Sequence, residues 1–145
     1  LVVDDGFERT GRDPGNLAAL IGRFTEGHPQ RTMQLADAAW RVAEPGAPFT
    51  TAVWDDAIDE VRRANAAICE RLYATYGNGE KDVLRVLASG GAIFGRAAAL
   101  LELSTGVAQH ARGQLLAAGD ILEAPDGYRL TDPVLADWIR NRFPL

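Results

Sequence analysis

Leu115-Leu-Ala-Ala-Gly-Asp-Ile-Leu-Glu-Ala-Pro-Asp-Gly-Tyr-Arg-Leu-Thr-Asp-Pro-Val-Leu-Ala-Asp-Trp138 is the stretch that decides the fold. Its first residues end a helix, and Gly119 is placed to cap it. Asp120 to Ala124 and Tyr128 to Thr131 then alternate as short strands around Pro125-Asp126-Gly127. An Asp-Gly pair between strand-like runs is a hairpin signal. Asp132-Pro133 breaks the second strand and opens a last helix, with Pro133 at its first position. Val134, Leu135, Trp138 and Ile139 are spaced to pack that helix down.

Upstream of this stretch the pattern is helical. Asp82 to Ser89 offers Val83, Leu84, Val86 and Leu87 to a core, and Gly90-Gly91 breaks the helix. Ile93 to Leu101 reads as a second, alanine-rich helix. Leu103-Ser104-Thr105-Gly106 is a turn, in which Ser104 can cap the next helix by accepting a hydrogen bond from a free amide. That helix runs to Ala118, with Val107, Ala111, Leu115 and Leu116 expected to face inward. Three helices, a hairpin and a closing helix make a winged helix-turn-helix, assigned to residues 77–145.

Residues 1–76 form a second, wholly helical unit. Asp4 to Arg9 is a short helix. Asp13-Pro14 is expected to open the next, with Asp13 as N-cap, and Leu17, Leu20, Ile21 and Phe24 lie on one helical face. Thr25-Glu26-Gly27 stops it. His28-Pro29 starts a third helix with Met33, Leu35, Ala36, Ala39 and Trp40. After the Glu44-Pro45-Gly46-Ala47-Pro48 loop, a long helix runs from about Trp54 to Tyr76. Thr50 or Thr51 stands before it, and Asp55, Asp56, Asp59 and Glu60 lie where a helix N-terminus favours negative charge. Ile58, Val61, Asn65, Ile68 and Leu72 make its stripe, with Arg62, Arg63, Glu70 and Arg71 mostly off it. Gly77-Asn78-Gly79 is expected to end this helix through a left-handed glycine cap.

Composition bounds what the chain does. At 145 residues it fits one domain or two small ones, and 47% apolar residues suffice for a core. No apolar run is long enough for a transmembrane helix. The single cysteine, Cys69, excludes an internal disulfide and fits a reduced, cytoplasmic setting. A start at Leu1-Val-Val-Asp-Asp reads as a fragment of a longer protein. The net charge of −5 and a single lysine, Lys81, weigh against strong non-specific binding to nucleic acid.

Two stretches carry candidate binding chemistry. If the helix after Ser104 entered a major groove, its exposed face would offer Thr105, Gly106, Gln109, His110, Arg112 and Gly113. Gln109 and Arg112 suit base edges, and Arg129 and Arg96 would have to add backbone contacts. Against this stand one arginine on the helix and an acidic wing tip at Asp126. His110 lacks partners at metal-ligand spacing, so it reads as a surface or interface residue. The second stretch is Gly27-His28-Pro29-Gln30-Arg31. A glycine stop followed by a fresh helix N-terminus gathers free amides and the positive dipole end, a setting for an anion such as phosphate. Arg31 in the first turn adds a two-pronged donor. An ordinary helix start after a loop has the same spacing. No Walker A pattern, triad, paired carboxylates or zinc set is found, so the fragment itself is not expected to be an enzyme or to bind a metal.

Taken together, Phe7-Glu-Arg-Thr-Gly-Arg-Asp-Pro-Gly15, Gly27-His-Pro-Gln-Arg-Thr-Met-Gln-Leu-Ala36 with Trp40, Leu103-Ser-Thr105, Leu115-Leu116 with Gly119, and Tyr128-Arg-Leu-Thr-Asp-Pro-Val-Leu-Ala-Asp-Trp138 span nearly the whole chain. In this arrangement the chain resembles the C-terminal portion of archaeal-type P-loop ATPases of the AAA+/STAND group, related to archaeal replication initiators. The resemblance implies a mainly α chain: a four-helix lid-type bundle over a nucleotide site, then a winged helix-turn-helix with a small β-hairpin. It implies that Gly27, His28 and Pro29 border the adenine or ribose, and that Gln30 stands where a sensor arginine would be, with Arg31 one residue on. ATP and Mg2+ would belong to an N-terminal P-loop domain absent from this chain, making the parent an ATPase. Nucleotide state would reposition the winged helix, which would act on DNA or on a protein partner. The alternatives are a stand-alone winged-helix transcription regulator and a protein-interaction adaptor, the latter marked by an exposed apolar patch on the wing or recognition helix.

Overall fold

The computed structural model describes residues 2–145, with side chains from Val3 onward; Leu1, where the fragment reading begins, lies outside them. Among the described residues the chain is mainly helical, with eight helices and one two-stranded antiparallel sheet. In order these are α1 (Val2–Arg9), α2 (Leu17–Thr25), α3 (Pro29–Val42), α4 (Thr51–Thr75), α5 (Asn78–Ala88), α6 (Arg96–Leu100), α7 (Thr105–Ala118), β1 (Ile121–Ala124), β2 (Gly127–Leu130) and α8 (Pro133–Arg142). Two compact units are present, one reaching to Asn65 and one from Ala66 to Leu145. The division falls inside α4, so the last turns of that helix group with the winged helix. None of the described helices is long and apolar enough to cross a membrane.

In the first unit, α2 packs against both α1 and α3. Phe7, Leu17, Ile21, Leu35, Ala38 and Ala39 are buried, as the three- and four-residue apolar spacings require. α4 contributes Ala57, Ile58 and Val61 to the buried set. Asp13 does not cap α2. Its carboxylate accepts from the Gly15 amide at 2.8 Å and from the Phe49 amide at 3.0 Å, which fastens the loop before α4. Those amides, Phe49's first, hold its carboxyl below the usual range. Gly15 takes φ +47, a left-handed conformation that interrupts the chain, so α2 begins only at Leu17.

In the second unit α5 is the central helix. It touches α6, α7, α8 and β2, and Val83, Leu84, Val86 and Leu87 are all buried. Burying a side chain the size of Leu84 contributes about 1.5–3 kcal/mol. α7 packs on β1, and α8 on β2. The strands pair with Ile121 opposite Leu130 and Ala124 opposite Gly127. Ile121 and Leu130 point to the core, as the period-two alternation demands. The loop is two residues, Pro125-Asp126, since Gly127 already pairs, with φ +137. Ser104 caps α7 by accepting from the Val107 amide, Gly119 closes it at φ +78, and Asp132 caps α8 by accepting from the Val134 amide at 2.9 Å.

Several expectations change. Gly77 is not a left-handed cap, because its φ is −68. Only Tyr76 and Gly77 separate α4 from α5, so Gly77 is the N-cap of the next helix, and Glu80 accepts from its amide at 3.2 Å. α6 is confined to Arg96–Leu100; a glycine at 95 is disfavoured inside a helix, and Gly95 instead closes a turn onto Ala92. Along α4, Ile68 and Leu72 are exposed while Cys69 and Tyr73 are buried, as is Tyr76 just past its end. The buried row runs in steps of four from Val61 through Asn65, Cys69 and Tyr73, drifting about 40° per step. On α7 the inward residues are Ala108, Ala111 and Leu115, with Val107 and Leu116 exposed. Small residues bring α7 close to α5: a Cβ on Gly79 would lie 2.6 Å from Val107 Cγ1.

Candidate functional site

The start of α3 is more self-contained than its spacing suggests. Gly27 takes φ +82 and turns the chain after Glu26, itself left-handed at φ 51. His28 is then the N-cap: its Nδ1 accepts from the Arg31 amide at 3.3 Å, and its own amide donates to the Thr25 carbonyl at 3.0 Å. Pro29 has no amide hydrogen. Three of the four groups expected to welcome an anion are therefore taken or missing, which leaves the amide of Gln30.

Arg31 does not point along the helix axis toward that end. Its Nη1 donates to Gln34 Oε1 at 2.6 Å and to Asn65 Oδ1 at 3.0 Å. Asn65 is buried, and its Nδ2 donates to Val61 O at 2.8 Å. A buried amide must satisfy both ends, and Arg31 supplies the donor that completes Asn65. The guanidinium thus ties α3 to α4 within the first unit.

Gly27 and Pro29 line an open apolar cleft of about 660 Å³ among α1, α2 and α3, a volume within the small-molecule range. Gly6 and Gly22 open its floor, while Met33 and Trp40 wall it and remain exposed. Trp40 is fixed in place: Arg12 lies 4.3 Å from its ring, and its Nε1 donates to Thr10 Oγ1 at 3.2 Å. His28, Gln30 and Arg31 do not line this cleft. Neither the cleft nor its glycine lining follows from the periodicity of the sequence. The available signal was glycine at 6 and 22 inside helical patterns, where it lowers stability.

The α7 candidates lie apart from that cleft in sequence and in their own unit. Thr105, Gln109 and His110 are exposed along α7. Arg112, the sole cation of the helix, is half-buried, 5.5 Å from the Phe94 ring and 5.6 Å from the Tyr128 ring. Arg129 follows Tyr128 on β2, and successive strand side chains leave opposite faces of a sheet. The hairpin therefore sends Arg112's aromatic partner and Arg129 to different sides. The exposed α7 face presents neutral polar groups with Val107 and Leu116 between them, and Phe94 and Leu100 are exposed near α6. Among the described residues, no three His, Cys, Asp or Glu side chains converge on a metal-sized site. No family model matches the chain, and no match is found among the curated proteins or the solved structures.

Proposed function

We propose that the chain is the lid and winged-helix output module of a cytosolic ATP-binding switch, and that the winged helix docks on protein rather than on duplex DNA. The first half rests on the resemblance to AAA+/STAND ATPases and on the apolar cleft beside Gly27 and Pro29, the segment which that resemblance sets against a nucleotide. An apolar cleft with a glycine floor suits the flat face of a base. Phosphates and Mg2+ would be held by the P-loop domain that the resemblance calls for, which would also carry hydrolysis. Arg31 Nη1 is engaged by Gln34 and Asn65, so its place in the switch is to hold α3 against α4.

Arg112 carries the second half. A groove-reading helix needs free cations to anchor phosphates, and the one cation of α7 lies against Phe94 and Tyr128. Exposed Val107, Leu116 and Phe94 beside neutral polar side chains suit a protein surface better than a phosphate backbone. Two measurements test the reading. In calorimetry, a protein joining this chain to its P-loop domain binds ADP and ATP; no binding removes the nucleotide half. In a mobility-shift assay the chain leaves duplex DNA unshifted at physiological salt. A tight shift that weakens steeply with added salt removes the protein-docking half and restores the DNA reader.

A further inference from the structure

The second unit concentrates its positive charge away from α7. Tyr73 from the end of α4 stacks on Phe143 with ring centroids 4.9 Å apart, and Trp138 of α8 meets Phe143 edge-on at 5.9 Å. Three cations stand over this cluster. Lys81 Nζ is 5.6 Å from the Tyr73 centroid, and the guanidinium carbons of Arg85 and Arg142 are 5.8 Å and 5.6 Å from that of Phe143. Arg85 Nε also donates to the Phe143 carbonyl at 3.4 Å, which fixes the end of α8. None of the three lies within ion-pair distance of a carboxylate among the described residues.

We propose that Lys81, Arg85 and Arg142, set around the Tyr73–Trp138–Phe143 cluster, form a docking patch for a short acidic peptide segment. Cation–ring contacts hold the charged ends in place before a partner arrives, so less freedom is lost on binding. Charge distribution selects the partner. Residues 66–145 hold eight basic and nine acidic side chains, and three of the eight basic ones belong to the patch. The remainder of the unit has five basic against nine acidic residues. A nucleic acid would run its line of phosphates past the patch and over that acidic surface. A peptide with a few carboxylates places its charge on the patch alone. The rings pack on one another and Tyr73 is buried, so the cluster offers no open platform on which bases would stack. The patch goes beyond the nucleotide and α7 readings above and depends on neither.

Fluorescein-labelled hexaglutamate titrated with the whole chain tests it by anisotropy. Binding is expected at low ionic strength, weakened on the order of tenfold at about 0.15 M salt, where the Debye length falls to about 8 Å. Lys81→Gln combined with Arg142→Gln abolishes it, whereas Arg96→Gln, which removes a cation of the same unit outside the patch, leaves it. Independently of any variant, amide NMR shifts on adding hexaglutamate centre on Lys81, Arg85 and Arg142. No binding, equal loss from Arg96→Gln, or shifts centred elsewhere overturns the proposal. So does tighter binding of a labelled twelve-residue oligothymidylate, which would make the patch a nucleic-acid site.

Discussion

Two pairs of glycines, one pair in each unit, do opposite things. In the second unit a Cβ on Gly91 would meet Ala97 Cβ at 2.9 Å and the Val86 carbonyl at 3.2 Å, and one on Gly79 would meet Val107 at 2.6 Å. Those glycines are required by close packing. In the first unit a Cβ on Gly6 or Gly22 would meet nothing within 4 Å, although both sit inside helices. A glycine in a helix interior costs about 0.8–1.0 kcal/mol relative to alanine. The first pair lets neighbours approach, and the second leaves a cleft open. The α5 core of the second unit is therefore closely packed, although Phe94, Leu100, Val107 and Leu116 stay exposed at its surface, while in the first unit Met33 and Trp40 are exposed beside an open cleft.

Substitutions can break that contrast. The largest effect is expected at Leu84, fully buried on α5 among α7, α8 and the sheet. Leu84→Ala should cost about 2–5 kcal/mol, read as a lowered midpoint in urea unfolding followed by circular dichroism. A loss under about 1 kcal/mol would mean that the second unit relaxes around the void and is not tightly packed. Next comes Gly91→Ala, which presses a methyl against a rigid Cβ and a carbonyl. It should destabilise by about 1–3 kcal/mol. Gly22→Ala should do the reverse, raising stability by about 0.5–1 kcal/mol, because the site is helical and open. If Gly22→Ala destabilises as much as Gly91→Ala, the cleft is not open in solution and the contrast between the units disappears.

The second unit could be read from sequence because its signals are local. Ser104, Gly119 and Asp132-Pro133 each fix a helix end through one hydrogen bond or one backbone angle, so the residue alone reveals the boundary. Asp13 misled for the opposite reason. Its partner amide at Phe49 lies 36 residues away, and a side chain that suits an N-cap equally suits a loop fastening. The α4 stripe misled because alternating steps of three and four and a row of fours both fit apolar residues between 58 and 76; tertiary packing chooses between them. At the candidate sites, the pattern placed His28 and Arg31 at a helix start but could not show where they spend their hydrogen bonds. His28 caps its own helix, and Arg31 completes a buried asparagine.

Tyr76 gives the finest measure of how closely the second unit is packed. Its ring is buried, and its hydroxyl is enclosed near Asp120 without a hydrogen bond of proper geometry among the described residues. A buried hydroxyl with no partner costs free energy that a hydrogen atom of similar shape does not. Tyr76→Phe should therefore raise stability at pH 7 by a few tenths to about 1 kcal/mol. Burial first, and then the charge of Asp120, push the phenol's pKa well above its ordinary value. The folded state thus holds this proton more tightly than the unfolded chain. The resulting stability is complete below about pH 10, the unfolded value, and falls as pH rises through it toward the higher folded value. Urea midpoints measured at pH 9 and again about two units higher should drop further for the natural chain than for Tyr76→Phe. Parallel drops would mean that the phenol ionises as freely in the folded unit as in the unfolded one. The hydroxyl would then be reached by water, and the packing around the α4–α5 junction would be as open as the cleft in the first unit.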